Sequence, residues 1–277
     1  MGAFGDLARI NTNVQSLDAL KSLYRVNRDI GVRQLRLATG SRLNRAEDDA
    51  AGYSISKKLE SRLRGQAQAL ANIGDAKSML TVAEGTLNTI LDILGTMKEK
   101  VIQGGNDTLS SEERVLVKSQ LNSLSTEINS IISSSLFIGR SIFSADPLTF
   151  MVGPSSNNTY SVTVGSISAE GLGVASSSLL VASAASATAS LGGIDVSIQT
   201  IASMMAGLGN AQTALSFREE NISTQMIHNE SAKSRIADAD FAKEQMEIAK
   251  LQILQQTGLN ALVNANVAPQ GILALLQ

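Results

Sequence analysis

Apolar residues recur at Ile73, Ala76, Leu80, Ala83, Leu87, Ile90, Leu94, Met97 and Val101, in steps that alternate three and four. That period keeps a seam on one face of a helix only when the helix coils slightly around a partner. Upstream, Ile55, Leu59, Leu63, Ala67 and Leu70 continue the stripe with looser spacing. The pattern predicts one helix from about Ala50 to about Gln103, roughly 80 Å long at ~1.5 Å per residue. Gly74, Gly85 and Gly95 fall off the seam, and each weakens an isolated helix by about 1 kcal/mol. Tertiary packing must therefore hold it, with Ile73, Leu80, Leu87, Ile90, Leu94 and Val101 as the rod seam.

The flanking segments carry the same kind of signal. Val14, Leu17, Leu20, Tyr24 and Ile30 share a helical face, with Asn13 or Thr12 as its cap. Thr39 to Arg45 reads as a helix stop and connector, Gly40 taking the left-handed position. Asp48 and Asp49 then stand where carboxylates cap the long helix. Gly104-Gly105-Asn106-Asp107 ends it in a turn. Ser110 and Ser111 with Glu113 open the next helix as a capping box, and its seam (Val117, Leu121, Leu124, Ile128, Ile131) packs antiparallel on the rod.

Phe137 to Arg140 closes that helix. Alternation at Leu148, Phe150 and Val152, a turn over 154–158, and alternation at Tyr160, Val162 and Val164 predict a β-hairpin. Val174 to Leu191 is Ser/Ala-rich and reads as surface structure. Helical spacing returns through Ile194, Ile198, Ile201, Met205, Leu208, Leu215 and Ile222, with the polar Asn229 then Ile236 extending it. The fold class expected is mainly α, an elongated antiparallel helical coiled-coil bundle with a small β-hairpin region.

The C-terminal residues break this pattern. Phe241, Ile248, Leu251, Ile253, Leu254, Leu259, Leu262, Val263, Val267, Ile272, Leu273, Leu275 and Leu276 surround their helix rather than line one side. A helix apolar all round must be buried, and the N-terminal segment covers only one face. The remaining faces call for other molecules, which points to a polymer with both chain ends at its core.

Composition narrows the chemistry. Aromatics make up only 3% of the 277 residues, which favours helix-on-helix packing through many small contacts. Net charge is -2 overall, yet residues 1–65 hold twelve Lys/Arg against seven Asp/Glu, a difference of +5. With Tyr24 alone among those cations before Gly40, no stacking platform for nucleic acid is expected. There is no cysteine, which excludes disulfides and thiolate chemistry. No secretory signal is visible near the start, and the longest uncharged window, Gly171 to Ile194, is too polar for membrane insertion.

His228 stands alone, so the usual metal cluster is not formed, and Glu47, Asp48 and Asp49 read as cap and dipole partners rather than a cation site. Met204, Met205, Met226 and Met246 read as gap-fillers between helices. No nucleophile–base pair, phosphate loop or zinc-protease motif stands out. The reading is no enzyme and no cofactor.

Two groups of motifs resemble the bacterial flagellins. One comprises Ile10-Asn11-Thr12-Asn13, Thr39-Gly40-Ser41-Arg42-Leu43-Asn44, Asp48-Asp49-Ala50-Ala51-Gly52 and Ala83-Glu84-Gly85. The other comprises Ser234 to Asp240, Gln252-Ile253-Leu254-Gln255-Gln256, Ala265-Asn266, Pro269-Gln270 and Leu273 to Leu276. The resemblance covers about residues 7–140 and 195–277 and implies a short form without large outer domains.

It implies an inner filament-core domain from residues 1–43 and 237–277, and a helical rod domain from 44–140 and 194–236. Residues 141–193 would supply the hairpin and a Ser/Ala-rich surface segment. The polymerisation core would comprise Ile10, Val14, Leu17, Leu20, Phe241, Ile248, Leu251, Ile253, Leu254, Leu259, Leu262, Ile272 and Leu275. The resemblance further implies export through the flagellar type III channel without cleavage, to an extracellular filament, with a periplasmic or sheathed filament as the alternative. Its partners would be other copies of itself, an export chaperone on about Asp240 to Leu276, and the filament cap and hook-associated proteins.

An innate-immune receptor surface of the family would fall on Gly95 to Gln103. Lys98, Glu99 and Gln103 lie in it, and Glu99 and Gln103 fit the pattern. Thr96 stands for an arginine and Lys100 for a leucine, which implies weak recognition at best. A hook–filament junction protein with similar ends, or a coiled-coil adaptor, is the alternative.

Overall fold

The computed structural model describes residues 12–275, with side chains as far as Val267. Five helices and two pairs of short strands are formed among them: α1 (Val14–Thr39), α2 (Ala50–Gly104), α3 (Ser111–Ser134), β1 (Leu136–Phe137), β2 (Arg140–Ser141), β3 (Leu148–Met151), β4 (Thr159–Val162), α4 (Ala184–Ala237) and α5 (Phe241–Leu275). The class is mainly α with small antiparallel strand pairs. The chain divides into two compact units, Met1–Ser61 with His228–Gln277, and Arg62–Ile227. The breaks between helices fall at 40–49 and 238–240, whereas the division between units falls inside α2 and α4.

In the second unit, α2, α3 and α4 share one apolar core. Ile73, Leu80, Leu87, Ile90, Leu94 and Val101 are each 0% exposed, packed with Leu121 and Ile128 of α3 and Ile194, Ile201 and Leu215 of α4. The off-seam Gly74, Gly85 and Gly95 face open space. Side-chain pairs fix α4 antiparallel to α2: Lys98 to Asp195 at 2.7 Å, Gln212 to Glu84 at 3.1 Å, Lys77 to Glu219 at 2.7 Å, and Gln66 to Gln225 at 3.3 Å. At the start of α3, Ser110 Oγ accepts from the Glu113 amide while the Glu113 carboxylate accepts from the Ser110 amide, a complete capping box.

The β3–β4 hairpin pairs Leu148 with Val162 and Phe150 with Tyr160. Leu148 and Val162 enter the core, while Thr149 and Ser161 share a hydrogen bond of 3.1 Å on the other face. A second, tighter hairpin pairs Phe137 with Arg140 across Ile138 and Gly139.

Two expectations need correction here. The Ser/Ala-rich stretch is surface structure only in part: Val174, Leu179 and Val181 are buried among exposed serines and alanines, and α4 begins at Ala184 rather than near Ile194. Alanine is the best helix former, and Ser183 caps the helix by accepting from the Ser186 amide at 3.2 Å. Ser190 Oγ accepts from the Leu180 amide and donates to the Leu180 carbonyl. These bonds satisfy the backbone of the loop that α4 buries. The hydropathy expectation also shifts, because α4 holds an 18-residue window of mean hydropathy 1.2, enough by length and composition to cross a membrane. Its Ile194, Ile201, Leu208 and Leu215 are buried in the core instead.

In the first unit α1 and α5 run antiparallel. Asn13 Nδ2 donates to the Ala265 carbonyl at 2.6 Å, Gln255 to Asn27 at 2.6 Å, and Arg33 to Glu244 at 2.8 Å. Gly40 ends α1 at φ 67°, a conformation open to glycine without strain. The connector is then tied to the end of α4: the Arg42 amide donates to the Ala237 carbonyl, and the Ala239 amide to the Gly40 carbonyl.

Candidate interaction surface

The α1–α5 pair buries one side of α5 and leaves the others open. Ile248 is buried, and Leu251 and Leu262 are half-buried, as are Val14 and Leu20 of α1. Exposed are Leu17 at 56%, Phe241 at 67%, Ile253 at 69%, Leu254 at 45% and Leu259 at 47%. Ile10 lies outside the described residues, as do the side chains of Ile272 and Leu275. Tyr24, Met246, Val263 and Val267 extend the exposed apolar set. Met246, expected to fill a gap between helices, is 67% exposed and fills none within the chain. Burying one such large side chain is worth about 1.5–3 kcal/mol, and α5 leaves several of them exposed.

A charged clamp holds this pair in register. Arg33 Nη1 donates to both Glu244 oxygens, at 2.9 and 2.8 Å, and Glu244 is only 5% exposed. Arg36 lies 3.6 Å from Glu244 on one side and 3.6 Å from Asp48 on the other. The clamp was not legible from the sequence, where Arg33 and Glu244 stand more than two hundred positions apart.

The two connector carboxylates have different duties. Asp49 Oδ1 caps α2 by accepting from the Gly52 amide at 3.0 Å. Asp48 does not cap α2 but turns back, accepting from the amides of Asn44 and Arg45 at 3.1 and 3.0 Å. The Arg45 amide, then that of Asn44 and the Arg36 charge, hold the Asp48 carboxyl below its ordinary 3.8, against an opposing effect of burial. A lowered folded pKa contributes stability that is full above the ordinary carboxylate range and is lost as pH falls through the lowered value. Asp48→Asn is therefore expected to lower the melting temperature at pH 7 and to leave a smaller drop between pH 4 and pH 2. Thermal melts followed by circular dichroism at both ends of that range check it.

On α2, Lys98 is engaged by Asp195, Glu99 is exposed, and Gln103 accepts from Lys100 at 3.2 Å. Among the described residues, no three His, Cys, Asp or Glu converge in a way that could hold a metal ion.

Comparison with known proteins joins these features. Residues 10–146 match the bacterial flagellin N-terminal helical region and residues 191–276 the bacterial flagellin C-terminal helical region. A flagellin of Treponema pallidum (strain Nichols) is 30% identical over 97% of this chain and 99% of its own length. The chain belongs to the bacterial flagellins. The flagellin of Bacillus subtilis (strain 168) is 31% identical, covering 97% of this chain and all of its own. A 30.7 kDa flagellar filament core protein of Treponema maltophilum is 31% identical over 96% of the chain and 99% of its own. Among solved structures, a protein assigned as a flagellar hook-associated protein of Vibrio parahaemolyticus superposes with a TM-score of 0.60 at 18% identity. It covers 69% of this chain and all of its own, and shows a shared fold. This flagellin is a structural subunit of the flagellar filament and serves motility.

Proposed function

We propose that the flagellin polymerises by burying the uncovered faces of α5 against the ends of other copies. The observation that carries this reading is the set of exposed large apolar residues on α5 opposite the side packed on α1. In a single chain these residues gain nothing from their exposure. In a homopolymer they become a core.

The same surface supports the finer parts of the reading. A free monomer carrying such a helix needs a chaperone over it before export, and the export route is the type III channel, with an extracellular filament as its product. The cap and hook-associated proteins would meet the same ends. Immune-receptor recognition is weak in this reading, because Thr96 and Lys100 interrupt the patterned surface around Lys98, Glu99 and Gln103.

Electron microscopy of the seeded full-length chain, beside a form trimmed to residues 41–235, tests the assembly reading. Uniform filaments are expected from the full chain alone. Discrete particles from both would sink it in favour of a junction protein or an adaptor.

A further inference from the structure

The outward side of α5 carries a seam of its own. Ala242, Met246, Ala249 and Ile253 follow one another in steps of four, three and four, which sets them on one helical face, and all four are exposed. Glu244, held by Arg33 of α1, and the buried Ile248 stand on the opposite side. Alternating small and large residues at this spacing offer the holes and knobs that a further helix fills.

Met246 is the chemically distinctive member of that face. Its side chain is 67% exposed, against 44% for Met151, while Met79 and Met97 are buried. Met204, Met205 and Met226 are half-buried. Among the described residues, Met246 is therefore the methionine that a dissolved oxidant reaches first. The chain has no cysteine to compete for that oxidant. Nor does the thioether fill a gap inside the chain, so its packing partner lies outside it.

We infer that Met246 is an oxidation site at which peroxide blocks polymerisation. The inference rests on the reading that the uncovered faces of α5 are buried between copies, and it assigns a chemical switch to one of them. In the step, a sulfur lone pair takes one oxygen of the peroxide and the O–O bond breaks. The other oxygen leaves as water, carrying the proton of the transferred one. The thioether is oxidised by two electrons to a sulfoxide, and the peroxide is reduced.

The product keeps the bulk of methionine and gains a polar S–O bond. In the free chain the sulfoxide is solvated, and the fold is unaffected because Met246 lies outside the core. Buried beside Ala249 and Ile253 without a donor, it carries the cost of an unpaired polar group. A free subunit is thus withheld from assembly once oxidised, whereas an assembled one is shielded from the oxidant.

The full-length chain tests this when it is treated as monomer with hydrogen peroxide and a chelator, freed of both, and assembled from seeds. Peptide mass spectrometry locates the sulfoxide, and sedimentation reads the critical concentration. Oxidation of wild type is expected to raise that concentration at least about tenfold, with the circular dichroism spectrum unchanged. Met246→Leu keeps the apolar bulk without the sulfur, so the treated variant should assemble at the concentration of its untreated form. Met151→Leu should lose assembly on treatment as wild type does. In preformed filaments, sulfoxide at Met246 is expected to form many times more slowly than in the free chain. Equal loss of assembly in treated Met246→Leu, or an unchanged critical concentration for wild type fully oxidised at Met246, would overturn the inference and leave the burial of α5 standing. Filaments in which Met246 reacts as fast as in the free chain, or untreated wild type that forms none, would instead sink the burial reading and the inference with it.

Discussion

Replacing Ile253 and Leu254 by aspartate is expected to abolish filament formation while leaving the monomer folded. The two side chains are 69% and 45% exposed in the single chain. Surface substitutions of that kind change monomer stability by only about 0.5 kcal/mol. In the polymer both positions would lose about 1.5–3 kcal/mol of apolar burial each, and each would bring an unpaired carboxylate into an apolar core. The lost burial alone sums to roughly 3–6 kcal/mol, about a hundredfold or more in critical concentration, and the two carboxylates add to it. Sedimentation and electron microscopy read the polymer, and circular dichroism reads the helices. Leu251 is a poorer probe, since it is half-buried and its loss would disturb α1 and α5 directly. Normal filaments from the double aspartate chain would show that these faces are not the core.

The second large effect is expected at Glu244. Its carboxylate, 5% exposed, receives both bonds from Arg33 and neighbours Arg36, which is 19% exposed at its side chain. Glu244→Ala leaves two nearby cations with Asp48 as their remaining acid, at 3.6 Å from Arg36. Removing one partner of a buried pair costs about 3–5 kcal/mol, and the partial exposure of Arg33 at 28% places this case near the lower end. Hydrogen exchange should therefore speed up by about a hundredfold in the amides of α1 and α5 while those of α3 keep their protection. Glu244→Gln, which keeps the shape and one acceptor, should recover part of the loss. Unchanged exchange in α1 would mean that apolar packing around Ile30 and Ile248 holds the pair without the clamp.

Much of the architecture was legible because its signals are local. Ser110 and Glu113 are three residues apart, Asn13 and Ser16 likewise, and the seam from Ile73 to Val101 repeats every three or four residues. Such contacts are written in adjacent turns of one helix. The exposed ring of apolar residues on α5 was legible for the same reason, since a helix without a polar face shows itself in any window of its sequence.

What escaped the sequence depends on distant partners. Val174 to Leu191 read as surface structure, because its composition is poor in large apolar residues. The structure buries Val174, Leu179 and Val181 within it and matches Ser190 to the backbone of Leu180, a pairing that no period announces. Asp48 resembled a helix cap until the fold of the connector turned it onto Asn44 and Arg45. Glu244 found Arg33 across more than two hundred positions of chain.

By itself, then, the sequence determined the helical seams, the ends of α1 and α2 and the start of α3, and that α5 carries more apolar surface than one partner covers. These follow from propensity, capping and period, all of which act within a few residues. Only the tertiary structure decided which charges pair, which serines serve buried backbone, and that Met246 stands exposed on α5. Those outcomes are set by which elements come into contact, and contact between distant segments is settled by the packing of the whole unit.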